Sequence, residues 1–365
     1  MISRFVWMAG ALVALAAFVT AEVGAEAVPA TGRKVVLDPG NGKFRWKIVE
    51  APVATPGPRQ VVVRVRAVSL NRGDVELLDP KFGAKAGQVV ASDAAGEIVA
   101  VGGEVKDFRV DDRVTTLYFR NWTDGPPSKE KLSATHGASV DGVLADYLVL
   151  DDTAVASMPM GLSFEEAAAL PTAGLTAWMA VNGHRALHPG DVVVVQGTGG
   201  VSTLALQFAV ALGGRVIATS SADSKLERTK ALGARDGINY RTTPAWSARV
   251  LELTGGHGAD VVVDVVGKAA LPESVKSLAY GGTLSLVGGL TGYDGQIPAI
   301  DLLLKTARAQ GIYVGSRADY QRMADFIGQR EFHPAIDRVF PLQEYEAALA
   351  HMESGEFVGK IVLKL

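Results

Sequence analysis

Cysteine is absent from all 365 residues. Disulfides, thiolate nucleophiles and cysteine-held metals are therefore excluded. Histidine is scarce, with six residues: His136, His184, His188, His257, His333 and His351. None shows a paired metal-ligand spacing; His184 and His188 are four apart, but Pro189 closes the segment, which reads as a surface turn. Excess charge is also lacking, because 36 basic residues against 39 acidic ones leave a net −3. No nucleic-acid partner is expected from that balance. Internal repeats and low-complexity tracts are missing as well.

Long apolar runs occur at one place, the N-terminus. Arg4 precedes the almost wholly apolar Phe5–Ala21, and Ala25-Glu26-Ala27 forms a small-residue cleavage signature before Val28. The pattern is that of a secretory signal peptide over residues 1–27. It implies an exported, periplasmic or membrane-anchored protein, with membrane contact through this leader alone. A cytoplasmic protein is the alternative if synthesis starts later, for instance at Met8.

The remaining composition, 48% hydrophobic and 21% charged overall, is globular and long enough for two domains. From Arg33 the pattern is all-β. Phe44–Glu50 is strand-like, Gln60–Leu70 alternates with Val61, Val63, Val65 and Ala67 on one face, and Asp93–Gly102, Asp112–Leu117 and Val143–Leu150 continue as short strands. Gly, Asp and Pro punctuate them, which predicts a small barrel. After Met158 the character changes. Ser163–Ala169 starts a helix, Leu170-Pro171 interrupts it, and Thr172–Val181 resumes it. Strands at Arg215–Ser220, Ile238–Tyr240, Ala259–Val266, Thr283–Val287 and Gly311–Val314 then alternate with helices such as Asp223–Leu232. Alternation of this kind predicts a doubly wound parallel sheet. Tyr320–Gln329 and Phe340–Leu365 read as helix, helix and strand, returning to the first domain.

Asp191–Leu212 organises the second region. Val192–Val195 is an uninterrupted β-branched run, as in a strand buried on both faces. Gly197, Gly199 and Gly200 follow within four residues, and Val201, Leu204, Ala205, Phe208, Ala211 and Leu212 recur at helical spacing. A strand, a glycine turn and a helix open a dinucleotide-binding unit, whose helix N-terminus attracts a pyrophosphate. Gly197, Thr198, Gly199, Gly200 and Val201 are the candidate phosphate cradle, with Ser202 where the fingerprint has a third glycine.

Cofactor choice is read at the end of the next strand, where a carboxylate favours NAD. Thr219-Ser220-Ser221 stands there, with Lys225 on the following helix. Hydroxyls and a cation suit a 2′-phosphate, so NADPH is expected, with NADH the alternative through Asp223. Ser221 or Asp223 could equally cap the helix. The ends of the later strands, Val266-Gly267, Val287-Gly288-Gly289 and Val314-Gly315-Ser316, should surround the nicotinamide unless they are plain turns. Gly267, Gly288, Val314 and Ser316 are taken as cofactor candidates.

Asn71-Arg72-Gly73-Asp74, DAAGEIVAVGGEVKDFRVDDRV, DGVLADYLVL, LPTAGLTAW and VVVVQGTGGVS occur in that order. Together they resemble the medium-chain dehydrogenase/reductase superfamily, and within it the zinc-free quinone-reductase-like and zinc-type alcohol dehydrogenase-like branch. The resemblance runs from about Arg33 to Leu365. It implies an α/β protein with a GroES-like β-barrel catalytic domain, first over 33–157 and again over 317–365, around a Rossmann domain at 158–316. It also implies a homodimer. Zinc members carry Cys where this chain has Asn71, and Gly-His-Glu where it has Ser92-Asp93-Ala94, so no catalytic zinc of that type is expected. By the same resemblance Asn71 offers its amide to the substrate carbonyl or the nicotinamide ribose, and Asp74 orders that loop. Thr172 lies near the nicotinamide, Tyr240 near the adenosine phosphate, and Lys360, in GKIVL, approaches the cleft.

Tyr118 and Trp122 fall in a loop that could wall a substrate pocket, and Tyr118 is the candidate proton donor. Without a Lewis acid to ionise an alcohol, the expected activity is NADPH-dependent hydride transfer to a quinone or an α,β-unsaturated carbonyl. A carbonyl/alcohol oxidoreductase and a non-catalytic exported nucleotide-binding homologue are the alternatives.

Overall fold

The computed structural model describes residues 28–365, so the expected leader lies outside the described residues. Two sheets form the frame. One is built of six parallel strands in the order Asp236–Asn239, Arg215–Ser220, Val192–Gln196, Ala259–Asp264, Leu278–Leu286 and Arg308–Gly311. Chain order reverses between Val192–Gln196 and Ala259–Asp264, and a crevice opens at such a switch point beyond the carboxyl ends of the strands. Val193, Val194 and Val195 are fully buried, as helices on both sheet faces require.

The other sheet runs Ile336–Pro341, Lys360–Lys364, Gln60–Ser69, Asp93–Val101, Arg113–Thr116 and Val155–Ser157, with Tyr147–Asp151 pairing Gln60–Ser69 along part of its length. Register shifts at Val62/Val63 and Val65/Ala67 curl it, as bulges do. Thr31–Pro39 and Phe44–Pro52 form a separate antiparallel pair. The last strand, Lys360–Lys364, lies between Ile336–Pro341 and Gln60–Ser69, so the two ends of the described chain complete one lobe.

Between the lobes the chain crosses through Phe164–Ala168, a π-helical turn at Leu170–Gly174, and Leu175–Asn182. Ser163 starts this segment with a capping box: its Oγ accepts from the Glu166 N–H, and Glu166 returns a carboxylate to the Ser163 N–H. Pro171 denies the helix one of its ladder donors, and the turn widens there. One apolar cluster spans both lobes, joining Ala95, Phe119 and Ala156 to Leu204, Phe208 and Tyr320. Phe208 stacks on Phe332 with ring centroids 4.6 Å apart, and Trp178 meets Phe326 at 4.9 Å.

Three expected elements differ. The sixth parallel strand is Arg308–Gly311 and not Gly311–Val314; it is a largely exposed edge, so no burial marks it in the sequence. Phe340 belongs to a strand, Ile336–Pro341, and the helix follows at Tyr345–Ser354. Val143–Ala145 precede the strand Tyr147–Asp151, which is shorter than expected.

Candidate active site

The glycine turn builds the centre of the crevice. Gly197 has φ +77°, a conformation that L side chains rarely adopt. Helix Gly200–Ala211 then begins with Gly199 extended at its N-cap and with no side chain capping it. Its first-turn N–H groups are left for an anion. Ser202, in place of the third glycine, donates from Oγ to the Gln196 carbonyl at 2.6 Å. It thereby ties the helix to the strand end. A cavity of about 600 Å³ extends from this turn in two directions, one toward Asn71 and Lys360, the other toward Ser220, Ser221, Tyr240 and Arg241. Its volume lies in the ordinary range for a cofactor site. The bare turn, the uncapped helix and the two-ended cavity fit a dinucleotide.

At the first end, residues remote in sequence converge on one carboxylate. Asp93 is fully buried. Its Oδ2 accepts from Asn71 Nδ2 at 2.9 Å and from the Thr172 N–H at 3.1 Å. Its Oδ1 accepts from Thr172 Oγ1 at 2.5 Å and Ser92 Oγ at 3.0 Å. The π-helical turn supplies both Thr172 donors. Lys360 reaches in from the last strand, donating to Asn71 Oδ1 at 2.6 Å and to the Leu70 carbonyl at 2.7 Å. Asp74 lies behind, accepting from the Asn71 N–H at 2.6 Å.

Burial sets the electrostatics. It pushes the Asp74 carboxyl up to about 7, against the pull of the Asn71 N–H. It also raises Asp93, opposed by the nearby Lys360 charge and by the Thr172, Asn71 and Ser92 donors. The Lys360 ammonium is lowered by burial, with Asp93 and Asp74 opposing the shift. This donor set does not fit Zn²⁺, which takes thiolate, imidazole and carboxylate ligands. An ammonium already lies against Asn71, and the Asn71 amide nitrogen faces Asp93 as a donor. Among the described residues no group of three or more His, Cys, Asp or Glu side chains could hold a metal.

At the other end, Ser220 and Ser221 line the cavity beside Tyr240 and Arg241. Arg241 carries no signal that the sequence reading used. Lys225 also lines the cavity, but its ammonium donates to the Gly355 carbonyl at 2.7 Å and lies 3.4 Å from Glu356 Oε1. It fastens the segment before the last strand to the Rossmann helix Asp223–Ala231. Asp223 accepts from Asn239 Nδ2 at 2.8 Å. The Thr198 hydroxyl donates to the Phe357 carbonyl at 3.1 Å, and Gly359 N–H donates to the Thr198 carbonyl at 3.0 Å. The same segment thus straps the glycine turn.

Of the residues singled out from sequence, Asn71, Gly197, Thr198, Gly199, Gly200, Val201, Ser220, Ser221, Lys225, Tyr240, Gly288 and Lys360 line this cavity. Asp74 and Thr172 support it from behind. Four others have local partners instead. Gly267, at φ +78°, gives its N–H to Asp264 Oδ1 at 2.8 Å in a turn. Ser316 caps helix Arg317–Gly328 in a reciprocal bond with Asp319. Val314 is buried in the core shared by the lobes. The Tyr118 hydroxyl is 3.4 Å from that of Tyr313, and burial raises its pKa. Asp93 is the principal residue that sequence reasoning passed over; Ser92-Asp93-Ala94 marked only a departure from a zinc pattern.

Comparison with known proteins agrees with this architecture. Residues 57–160 match the family model for an alcohol dehydrogenase GroES-like domain, and residues 200–329 that for a zinc-binding dehydrogenase. A zinc-type alcohol dehydrogenase-like protein of Schizosaccharomyces pombe is 38% identical over 91% of this chain and 99% of its own length. A crystal structure of a protein from Sinorhizobium meliloti 1021, designated an alcohol dehydrogenase, superposes with TM-score 0.88 at 38% identity, over 93% of this chain and all of that one. An NAD-dependent alcohol dehydrogenase gives TM-score 0.81 at 33% identity, covering 91% and 99%. With a GroES-like lobe, a Rossmann sheet and a dinucleotide crevice between them, the chain belongs to the medium-chain dehydrogenase/reductase superfamily and is an NAD(P)H-dependent oxidoreductase.

Proposed function

We propose that this oxidoreductase uses NADPH to reduce a quinone or an α,β-unsaturated carbonyl, and that it does so without a catalytic metal. The cluster of Asn71, Asp93, Thr172 and Lys360 carries the reading. It holds an ammonium with two of its three N–H groups engaged where an alcohol-ionising metal would have to sit, and that group suits a carbonyl oxygen gaining negative charge. The cofactor supplies the hydride, and the protein supplies alignment and a dry, polarised end of the cleft. The serine hydroxyls and Arg241 beside Tyr240 favour a 2′-phosphate over an unphosphorylated ribose.

Purified protein beginning at Val28 is mixed with NADPH or NADH, and absorbance at 340 nm is followed against a quinone, an enone and an aldehyde. Turnover of quinone or enone that persists after chelator treatment is the expected result. Turnover of aldehydes alone would favour a carbonyl/alcohol oxidoreductase, as the names of the relatives suggest. Activity restored to a stripped sample by zinc would overturn the metal-free reading.

We also propose export or membrane anchoring through residues 1–27 and association as a homodimer. Cell fractionation showing full-length protein in the cytosol would refute the first. Light scattering at the mass of a single chain would refute the second.

A further inference from the structure

Reduction of a conjugated carbonyl consumes a proton as well as a hydride, and Tyr118, the donor suggested by sequence, does not line the cavity. Lys360 does, although it is only 3% exposed. Its stem crosses the glycine turn so closely that a Cβ on Gly200 would stand 2.3 Å from Lys360 Cδ. Its ammonium is held by the Leu70 carbonyl at 2.7 Å and Asn71 Oδ1 at 2.6 Å. An ammonium has three N–H donors, so one remains for whatever enters the cavity. Asn71 cannot turn away, because its Nδ2 is engaged by Asp93 at 2.9 Å and Ser92 at 3.1 Å. Asp93 is itself fixed by both Thr172 donors.

We propose that Lys360 is the proton donor of the reduction, and that Asn71 and Asp93 are positioning residues that aim its ammonium into the cleft. The proposal rests on the reductase reading above. The electrophilic carbon of the substrate gains hydrogen with its electron pair from the reduced nicotinamide, forming a C–H bond. The displaced π electrons move to the substrate oxygen, one N–H bond of Lys360 breaks, and an O–H bond forms. The substrate is reduced by two electrons and the nicotinamide is oxidised by two. Lys360 is left as a neutral amine and regains a proton from water through the open cavity. For an enone the resulting enol reverts to the ketone. Burial supports the assignment by lowering the ammonium pKa, which eases release of the proton, while Asp93 from strand Asp93–Val101 and Asp74 from helix Arg72–Glu76 oppose that shift.

Lys360→Met and Lys360→Arg, made in the full mature chain, test the proposal. Both should bind NADPH with a Kd, read by cofactor fluorescence, within about threefold of the parent, and both should lose about 100-fold or more in kcat. Arginine keeps the charge but does not release a proton at working pH. In Lys360→Ala, added small primary amines should restore turnover, with rates that follow amine pKa. An arginine variant with parental kcat would overturn the proposal even if the methionine variant fails to fold. So would a loss of NADPH affinity with kcat at saturating cofactor unchanged, which would make Lys360 a cofactor ligand. A parent protein that binds no nicotinamide refutes the underlying reading as well; an active parent with fully active Lys360 variants refutes the proton-donor assignment alone.

Discussion

Replacing Asp74 with Asn should stabilise the protein at neutral pH, although it removes a charge beside the candidate site. The carboxyl is 5% exposed, and burial raises its pKa from 3.8 to about 7. The folded state therefore binds the proton more tightly than the unfolded chain. The stability this contributes is fully present below pH 3.8 and is lost as pH rises through about 7. A shift of about three units at about 1.36 kcal/mol each corresponds to about 4 kcal/mol across that window. Asn is neutral at every pH, and its Oδ1 can still accept the Asn71 N–H that Asp74 accepts at 2.6 Å. In urea titrations followed by circular dichroism, Asp74→Asn should match the parent near pH 4. Its advantage should grow with pH and reach about 4 kcal/mol near pH 7.5. Equal stability at pH 7.5, or a parent whose advantage increases with pH, would show that Asp74 enters the fold ionised and would refute the reasoning.

Gly200→Ala should lower the melting temperature, since its Cβ would meet the Lys360 stem at 2.3 Å and overpacking costs about 1–3 kcal/mol. Gly199→Ala should leave the melting temperature nearly unchanged, because its nearest neighbour would be 3.9 Å away, yet weaken dinucleotide binding by fluorescence titration. Arg241→Ala should raise the Kd for NADPH about tenfold, the loss of one charge-assisted contact, and leave that for NADH unchanged. Lys225→Met should instead destabilise the chain, since its ammonium holds the Gly355 carbonyl. Equal losses for both cofactors in the Arg241 variant would count against the 2′-phosphate assignment. Ser163→Ala should cost about 1 kcal/mol in thermal unfolding through loss of the N-cap, and an unchanged melt would mean the cap is dispensable.

Where burial writes a pattern, the sequence shows the fold. Val192–Gln196 is apolar through four of its five positions, and its helix repeats at 3.6, so the strand, turn and helix are readable without coordinates. Ile336–Pro341 is not, because Phe340 is its only buried residue and Asp337 and Arg338 interrupt it. Arg308–Gly311, an edge strand facing outward, leaves no apolar mark at all. The site divides in the same way. A phosphate cradle is local and its spacing is legible. The Asp93 cluster joins positions 71, 93, 172 and 360, and only the fold sets such distances. Lys225 lies where the motif places it, but its ammonium turns toward the C-terminal segment. The cation beside Tyr240 is its neighbour Arg241.

The placement of Lys360–Lys364 between Ile336–Pro341 and Gln60–Ser69 has a bearing on biogenesis. The first lobe stays open until Lys360–Lys364 inserts beside Gln60–Ser69, because that strand is interior to its sheet. Pairing positions nearly 300 apart is a slow, late event in folding. Until it happens the polypeptide has no finished cleft, since Lys360 is part of the cavity wall.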